Sequence, residues 1–349
     1  MSNSNPKACI LSVTGPRLNT DEALFLAQAN PWGVILMGRS IQTRDQVRIL
    51  IDEIWAALGR ACLVFVDQEG GRVRRLRPPE WPNFPAAASY ASLYRASHDL
   101  GVEASFLGHR LMAHELESVG FHANCSPVLD LLHLEAHDIV GDRSFGDTPD
   151  MVVSLARAAI EGLHAGGVVS VIKHMPGHGR AKVDSHQSLP VVSATRDELE
   201  RDFAPFAALN DAPMAMTAHI AYEVLDKTNP ATLSSRVIRD VIRGELAFDG
   251  LLMTDDLGMK ALGGDLESRA KAALEAGCDI VLHCAGFEEG EEVLSQMRRV
   301  AGACPPLDGL SMKRAQAAEA ASLDKTEFDV EAGWVRFNDL MKQAQGAMA

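Results

Sequence analysis

Four apolar runs in this chain end on ionisable residues. Leu63-Val64-Phe65-Val66 stops at Asp67, Val169-Ser170-Val171-Ile172 stops at Lys173-His174, Met214-Ala215-Met216-Thr217 leads to His219, and Leu251-Leu252-Met253-Thr254 meets Asp255-Asp256. Ending a buried segment on a charge is costly unless the charges reach solvent, a ligand or one another, so the tips are expected to converge. Behind Lys173-His174 comes a stretch framed by glycine and proline, Met175-Pro176-Gly177-His178-Gly179, which runs through Arg180-Ala181-Lys182-Val183 to Asp184-Ser185-His186. It is too long to be a simple connection. Asp184, two residues before His186, can orient that imidazole and stabilise its charged form, and a histidine titrating near neutrality can give and take a proton. A carboxylate such as Asp255 facing a His–Asp pair is what glycoside hydrolysis needs. One group stabilises or attacks the anomeric carbon while the other protonates the leaving oxygen.

Each of these residues also has a plainer role. Aspartate at a strand-to-helix junction commonly caps the helix, so Asp255 and Asp256 compete for the cap and for the chemistry. Loop histidines often only bond backbone, yet three of them with a lysine, an aspartate and a Gly-Pro frame favour a site. The run Asp67-Gln68-Glu69-Gly70-Gly71-Arg72-Val73-Arg74-Arg75-Leu76 joins a glycine pair to a basic cluster. A phosphate-binding turn is disfavoured there because the GxGxxG and Walker spacings are absent, and arginines in such number are usually a solvated face. His133-Leu134-Glu135-Ala136-His137 is not HExxH, and no metal is expected from it.

Short, nearly continuous apolar runs lie at about 8–13, 33–37, 62–66, 121–125, 169–172, 214–217, 250–254 and 279–283. Such runs read as strands buried on both faces of a parallel sheet. Helical patterns separate most of them. Thr148-Pro149 offers an N-cap with proline at the first helical position, and Gly166-Gly167 would end that helix. Thr195 with Glu198 makes a capping box. Val237, Ile238, Val241 and Ile242 give an apolar stripe before the seventh strand. Eight strands alternating with helices predict an α/β (β/α)8 TIM barrel over an open sheet, with function at the carboxyl ends of the strands. One domain is expected over residues 1–349, with the barrel at about 6–305 and additional C-terminal helices at about 306–349.

The composition is that of a globular protein with a large core. The formal net charge of −14 argues against nucleic acid or an anionic membrane as partner. Six scattered cysteines without a CxxC pair read as buried thiols. No run of 18 or more apolar residues appears, and the opening MSNSNPKACILSVTG lacks the pattern of an export signal, so a cytoplasmic protein is expected.

Five segments resemble glycoside hydrolase family 3, and within it the single-domain bacterial β-N-acetylglucosaminidases. They are DQEGGRVRRL (Asp67–Leu76), SPVLD (Ser126–Asp130), GDRSFG (Gly141–Gly146), KHMPGHGRAKVDSH (Lys173–His186) and MTDDLGMKAL (Met253–Leu262). The resemblance implies Asp255 as nucleophile, His186 as acid/base partnered by Asp184, and Asp67, Arg75, Arg143, Lys173 and His174 as holders of the terminal sugar. It implies no cofactor, a monomer, and a small carbohydrate or muropeptide substrate of cell-wall recycling. Gly258 departs from the serine or asparagine common in the family, and Pro78–Phe84 is a candidate for altering the pocket rim. Three alternatives stay open at this stage. One is a family 3 β-glucosidase or broad exo-glycosidase. Another is a metal-dependent barrel hydrolase with His174, His178, His186 and Asp255 as ligands. The last is a non-catalytic sugar-binding barrel.

Overall fold

The computed structural model describes residues 5–185, 188–321 and 325–347. In chain order the strands are β1 (Lys7–Leu11), β2 (Pro31–Ile35), β3 (Leu63–Val66), β4 (Ala123–Asn124), β5 (Val169–Met175), β6 (Val191–Val192), β7 (Met214–Thr217), β8 (Ala221–Tyr222), β9 (Leu251–Asp256) and β10 (Ile280–His283). All but the two-residue β6 and β8, which pair with each other, close into one parallel barrel in the order β1-β2-β3-β4-β5-β7-β9-β10. Closure joins the first strand to the last, with Cys9 opposite Val281 and Leu11 opposite His283.

Strand alternation explains why these runs look uniformly apolar. Ile10, Phe65, Val169, Val171, Met214, Met216, Leu251, Met253, Ile280 and Leu282 form the cluster that fills the barrel. Their neighbours Cys9, Leu11, Val64, Val66, Ile172, Ala215, Leu252 and Val281 belong to the larger outer cluster shared with the helices. Both faces of each strand are covered, so no polar position is needed until the strand ends.

The helical layer comprises α1 (Thr20–Ala29), α2 (Arg44–Leu58), α3 (Ala87–Ala96), α4 (His98–Glu117), α5 (Pro149–Ala165), α6 (Arg196–Ala208), α7 (Leu266–Ala276), α8 (Glu291–Ala303), α9 (Gly309–Ala320) and α10 (Val330–Ala347). The capping box of Thr195 and Glu198 is present at α6. Pro149 opens α5 as expected, but the Thr148 side chain makes no capping hydrogen bond. The stripe Val237, Ile238, Val241 and Ile242 is buried, although Val237–Glu245 winds as a π-helix.

Two elements close what the barrel leaves open. Leu307, Ala315 and Ala318, the last two from α9, join the cluster inside the barrel. Trp32, at the start of β2, donates from Nε1 to Glu319 at 2.7 Å. α9 therefore floors the barrel at the amino ends of its strands. α10 packs Phe337, Leu340 and Ala344 into the outer layer, with Trp334 5.5 Å from Phe84. The expectation that Pro78–Phe84 shapes the pocket rim is corrected here. Trp81 and Phe84 are buried in the outer cluster, and only their neighbour Arg77 reaches the pocket. All six cysteines are free and buried. Among the described residues no helix is long and apolar enough to cross a membrane.

Candidate active site

At the carboxyl ends of the strands lies a cavity of about 520 Å³. Its floor on one side is a charge network built on β3 and β5. Asp67, immediately after β3, accepts from Arg75 at 3.0 Å and from the Lys173 ammonium at 3.2 Å. Lys173 also lies 2.7 Å from Glu69, and Glu69 receives the Arg143 guanidinium through two bonds of 2.8 Å. Arg75 can fold back on Asp67 because the Gln68 side chain accepts from the backbone N–H groups of Arg75 (2.9 Å) and Leu76 (3.0 Å). The glycine pair serves the same hairpin and not a phosphate. A Cβ on Gly70, at φ +95°, would stand 2.2 Å from the Pro85 carbonyl oxygen.

Burial alone would push the carboxyls of Asp67 and Glu69 up, but cations outweigh it. Lys173 and then Arg75 hold Asp67 below the usual carboxylate range, and Arg143 and then Lys173 do so for Glu69. The converse holds for Lys173, where burial is overridden by Glu69 and Asp67 and the ammonium titrates above its ordinary value. The cluster is thus fully ionised, and its charges largely compensate one another.

A second carboxylate, Asp130, organises the start of the long loop after β5. One oxygen accepts from His174 Nδ1 at 2.7 Å and the other from the backbone N–H of His178 at 2.6 Å. Burial opposes ionisation of Asp130, and His174 overcomes it. His178 is itself buried, which lowers its imidazole to about 4, so it is neutral near pH 7. The Lys173–His174 peptide is cis, and both side chains line the cavity.

On the facing side, the two aspartates at the end of β9 both line the cavity but differ in their partners. A single oxygen of Asp256 accepts from His283 Nδ1 and from the backbone N–H groups of Gly258 and Cys284, each at 3.0 Å. Asp256 is therefore occupied in shaping the turn. Asp255 lines the cavity; its carboxylate takes the N–H of Asp256 at 2.7 Å and forms no ion pair among the described residues.

Asp67, Arg75, Arg143, Lys173, His174 and Asp255 all line this cavity. Asp184 is described, and its carbonyl accepts from Ser188 N–H at 3.2 Å. His186 lies outside the described residues. The fourth polar tip does not join the others. His219 spends Nδ1 on the Thr232 hydroxyl (2.7 Å) and Nε2 on the Asp256 carbonyl (3.0 Å), buttressing the β9 turn from outside the cavity. Glu69 and Asp130 carry roles that the sequence reading did not assign, and His178, considered there only as a metal ligand, is bound to Asp130 and Ser185. A signal existed for Asp130, which ends the apolar run of SPVLD as Asp67 and Asp255 end theirs. His133 pairs with Asp202 at 2.9 Å and His137 accepts from the Ile139 N–H, both as ordinary loop histidines.

A (β/α)8 barrel whose mouth sets a compensated cluster of donors and acceptors opposite an aspartate without an ion pair among the described residues has the makings of a glycoside-cleaving barrel. The model of the glycosyl hydrolase family 3 N-terminal domain matches residues 6–306, and the chain belongs to that family. Among its relatives, a β-hexosaminidase of Alkalilimnicola ehrlichii is 41% identical over 288 residues, 79% of this chain and 80% of the relative. The β-hexosaminidase of Pseudomonas aeruginosa is 35% identical over 340 residues, 96% of this chain and 98% of its own. Among solved structures, NagZ from Neisseria gonorrhoeae in complex with N-trifluoroacetyl-D-glucosamine superposes with a TM-score of 0.83 at 29% identity, covering both chains in full.

Proposed function

We propose that this chain is a retaining exo-β-N-acetylglucosaminidase that releases terminal non-reducing N-acetylglucosamine from peptidoglycan-derived fragments such as GlcNAc-anhydroMurNAc-peptides. It is a glycoside hydrolase of the β-N-acetylhexosaminidase class, a reading supported by its family and its β-hexosaminidase relatives. The observation that carries the mechanism is that both aspartates line the cavity, yet Asp256 is held by His283 and by two backbone N–H groups while the Asp255 carboxylate forms no ion pair among the described residues.

Asp255 attacks the anomeric carbon as the bond to the aglycone oxygen breaks, and that oxygen takes a proton from His186, oriented by Asp184. Water then displaces the aspartyl ester and gives its proton to the same imidazole. This regenerates the carboxylate and releases the sugar with its original anomeric configuration. Asp67, Arg75, Arg143, Lys173 and His174 hold the hydroxyls and the N-acetyl group. Charged partners suit that task because each hydrogen bond to an ionised group is worth roughly 1.5–3 kcal/mol. A monomer of one domain working in the cytoplasm without a cofactor completes the proposal.

The test is cleavage of 4-nitrophenyl β-N-acetylglucosaminide by wild type and by Asp255→Asn, without added metal, beside the matched β-glucoside. Turnover that prefers the acetamido sugar and collapses in the variant is expected. Preference for the glucoside would overturn the substrate, and an active variant would overturn the nucleophile.

A further inference from the structure

Ser185 immediately precedes His186, and its contacts tie together two parts of the site. Its hydroxyl lies 3.4 Å from His178 Nε2, in the loop that follows β5. Its carbonyl accepts from the Ala261 N–H at 3.1 Å, on the segment that continues from Asp255-Asp256. Ser185 is 2% exposed and His178 4%, so neither contact competes freely with water. His178 is in turn fixed from behind by Asp130, which takes its backbone N–H. The Asp184 carbonyl accepts from the Ser188 N–H at 3.2 Å.

From these contacts we infer that Ser185 is a positioning residue, which ties the backbone entering His186 to the β5 loop through His178 and to the nucleophile's segment through Ala261. The inference rests on the reading of His186 as acid/base and of Asp255 as nucleophile. Proton transfer requires the donor within hydrogen-bond reach of the leaving oxygen, and displacement by about 1 Å is enough to slow it severely. A tether between the two loops keeps the donor's approach in register with the attacking carboxylate. The His178 contact persists across the working range, because this imidazole stays neutral down to about pH 4.

The experiment compares wild type, Ser185→Ala, Ser185→Thr and His186→Ala on two aryl β-N-acetylglucosaminides. One has a poor leaving group (4-methoxyphenol) and the other a good one (2,4-dinitrophenol). Ser185→Ala should lose about tenfold or more in kcat/KM on the first while staying within about threefold on the second, because only the first needs the proton. Its alkaline limb in the pH profile should shift, and Ser185→Thr, which keeps the hydroxyl, should restore both. His178→Leu and His178→Gln repeat the comparison from the other end of the contact; only the first should show the selective loss. Equal losses on both substrates, or none on either, would overturn the proposal while a selective His186→Ala left the mechanism standing. A His186→Ala variant that slows both substrates alike would remove the acid role itself, and this proposal with it.

Discussion

The two sides of the cavity are built on opposite plans. On the β3 and β5 side, Asp67, Glu69, Arg75, Arg143 and Lys173 are bound to one another through contacts of 2.7–3.2 Å. On the β9 side, Asp255 stands without an ion pair among the described residues, while its neighbour Asp256 takes the structural bonds. A binding surface gains from preorganisation, because its dipoles need not reorganise when a polar ligand replaces water. A nucleophile gains from the reverse, since a carboxylate neutralised by a lysine would have to break that pair before it could attack. On the proposed mechanism, the contrast means that the same residue type is held differently according to whether its lone pairs are to be matched or used.

The sharpest way to break this contrast is Asp255→Asn, which is isosteric but cannot form the ester. A fall in kcat/KM of at least about 10³-fold with little change in thermal stability is expected. Comparable loss of stability and activity would place Asp255 among the structural residues. Removing the cation from the other side should do the opposite. Lys173→Met leaves the carboxylates of Asp67 and Glu69 short of a buried partner, and breaking such a pair costs about 3–5 kcal/mol. Chemical denaturation should show it as a lowered midpoint accompanied by loss of substrate binding.

A pH experiment tests whether charge is managed by pairing only at the mouth. His109, which does not line the cavity, is buried beside Tyr90 and Phe145, and burial lowers it to about 4. Its folded value lies below the unfolded value of about 6.5, so the unfolded chain binds the extra proton between those limits. Stability from this group is present above about pH 6.5 and lost as the pH falls towards 4, by on the order of 3 kcal/mol. His109→Gln should flatten that part of a melting-temperature profile. An unchanged slope would show that the imidazole is not kept neutral by burial. The smallest effect belongs to Asp256→Asn, which keeps an oxygen for the N–H groups of Gly258 and Cys284. We expect a loss of about 1–2 kcal/mol and activity within about tenfold of wild type. A collapse to the level of Asp255→Asn would erase the distinction between the two aspartates.

Much of this arrangement could be read before any coordinates. All eight barrel strands were visible as apolar runs, because covering both faces of a strand leaves few polar positions before its end; Ser170, buried against His164, is an exception. The same logic exposed Asp67, Lys173, His174 and Asp255. It failed for His219, because an apolar strand can also end on a residue that braces its neighbour's turn, and hydropathy does not distinguish the two. Glu69 went unassigned because its role depends on Arg143, 74 residues along the chain, and His178 was considered only as a metal ligand because its tie to Asp130, 48 residues away, leaves no mark in the local pattern. β6 and β8, two residues each, are too short to leave a periodic trace. The π-helix at Val237–Glu245 left only its buried stripe, since pairs four residues apart share a face in either winding.

The floor laid by α9 bears on how the chain comes off the ribosome. β1 cannot complete its ladder until β10 has been made, and the barrel interior stays open from below until Leu307, Ala315 and Ala318 arrive. During synthesis the apolar lining of a nearly finished barrel is therefore exposed, and the nascent polypeptide is expected to depend on chaperones until its final helices emerge. Chains stalled after residue 306 should be cut by protease within the barrel strands, whereas chains released at full length should resist. Equal protection of the two would mean that the barrel shuts without its floor.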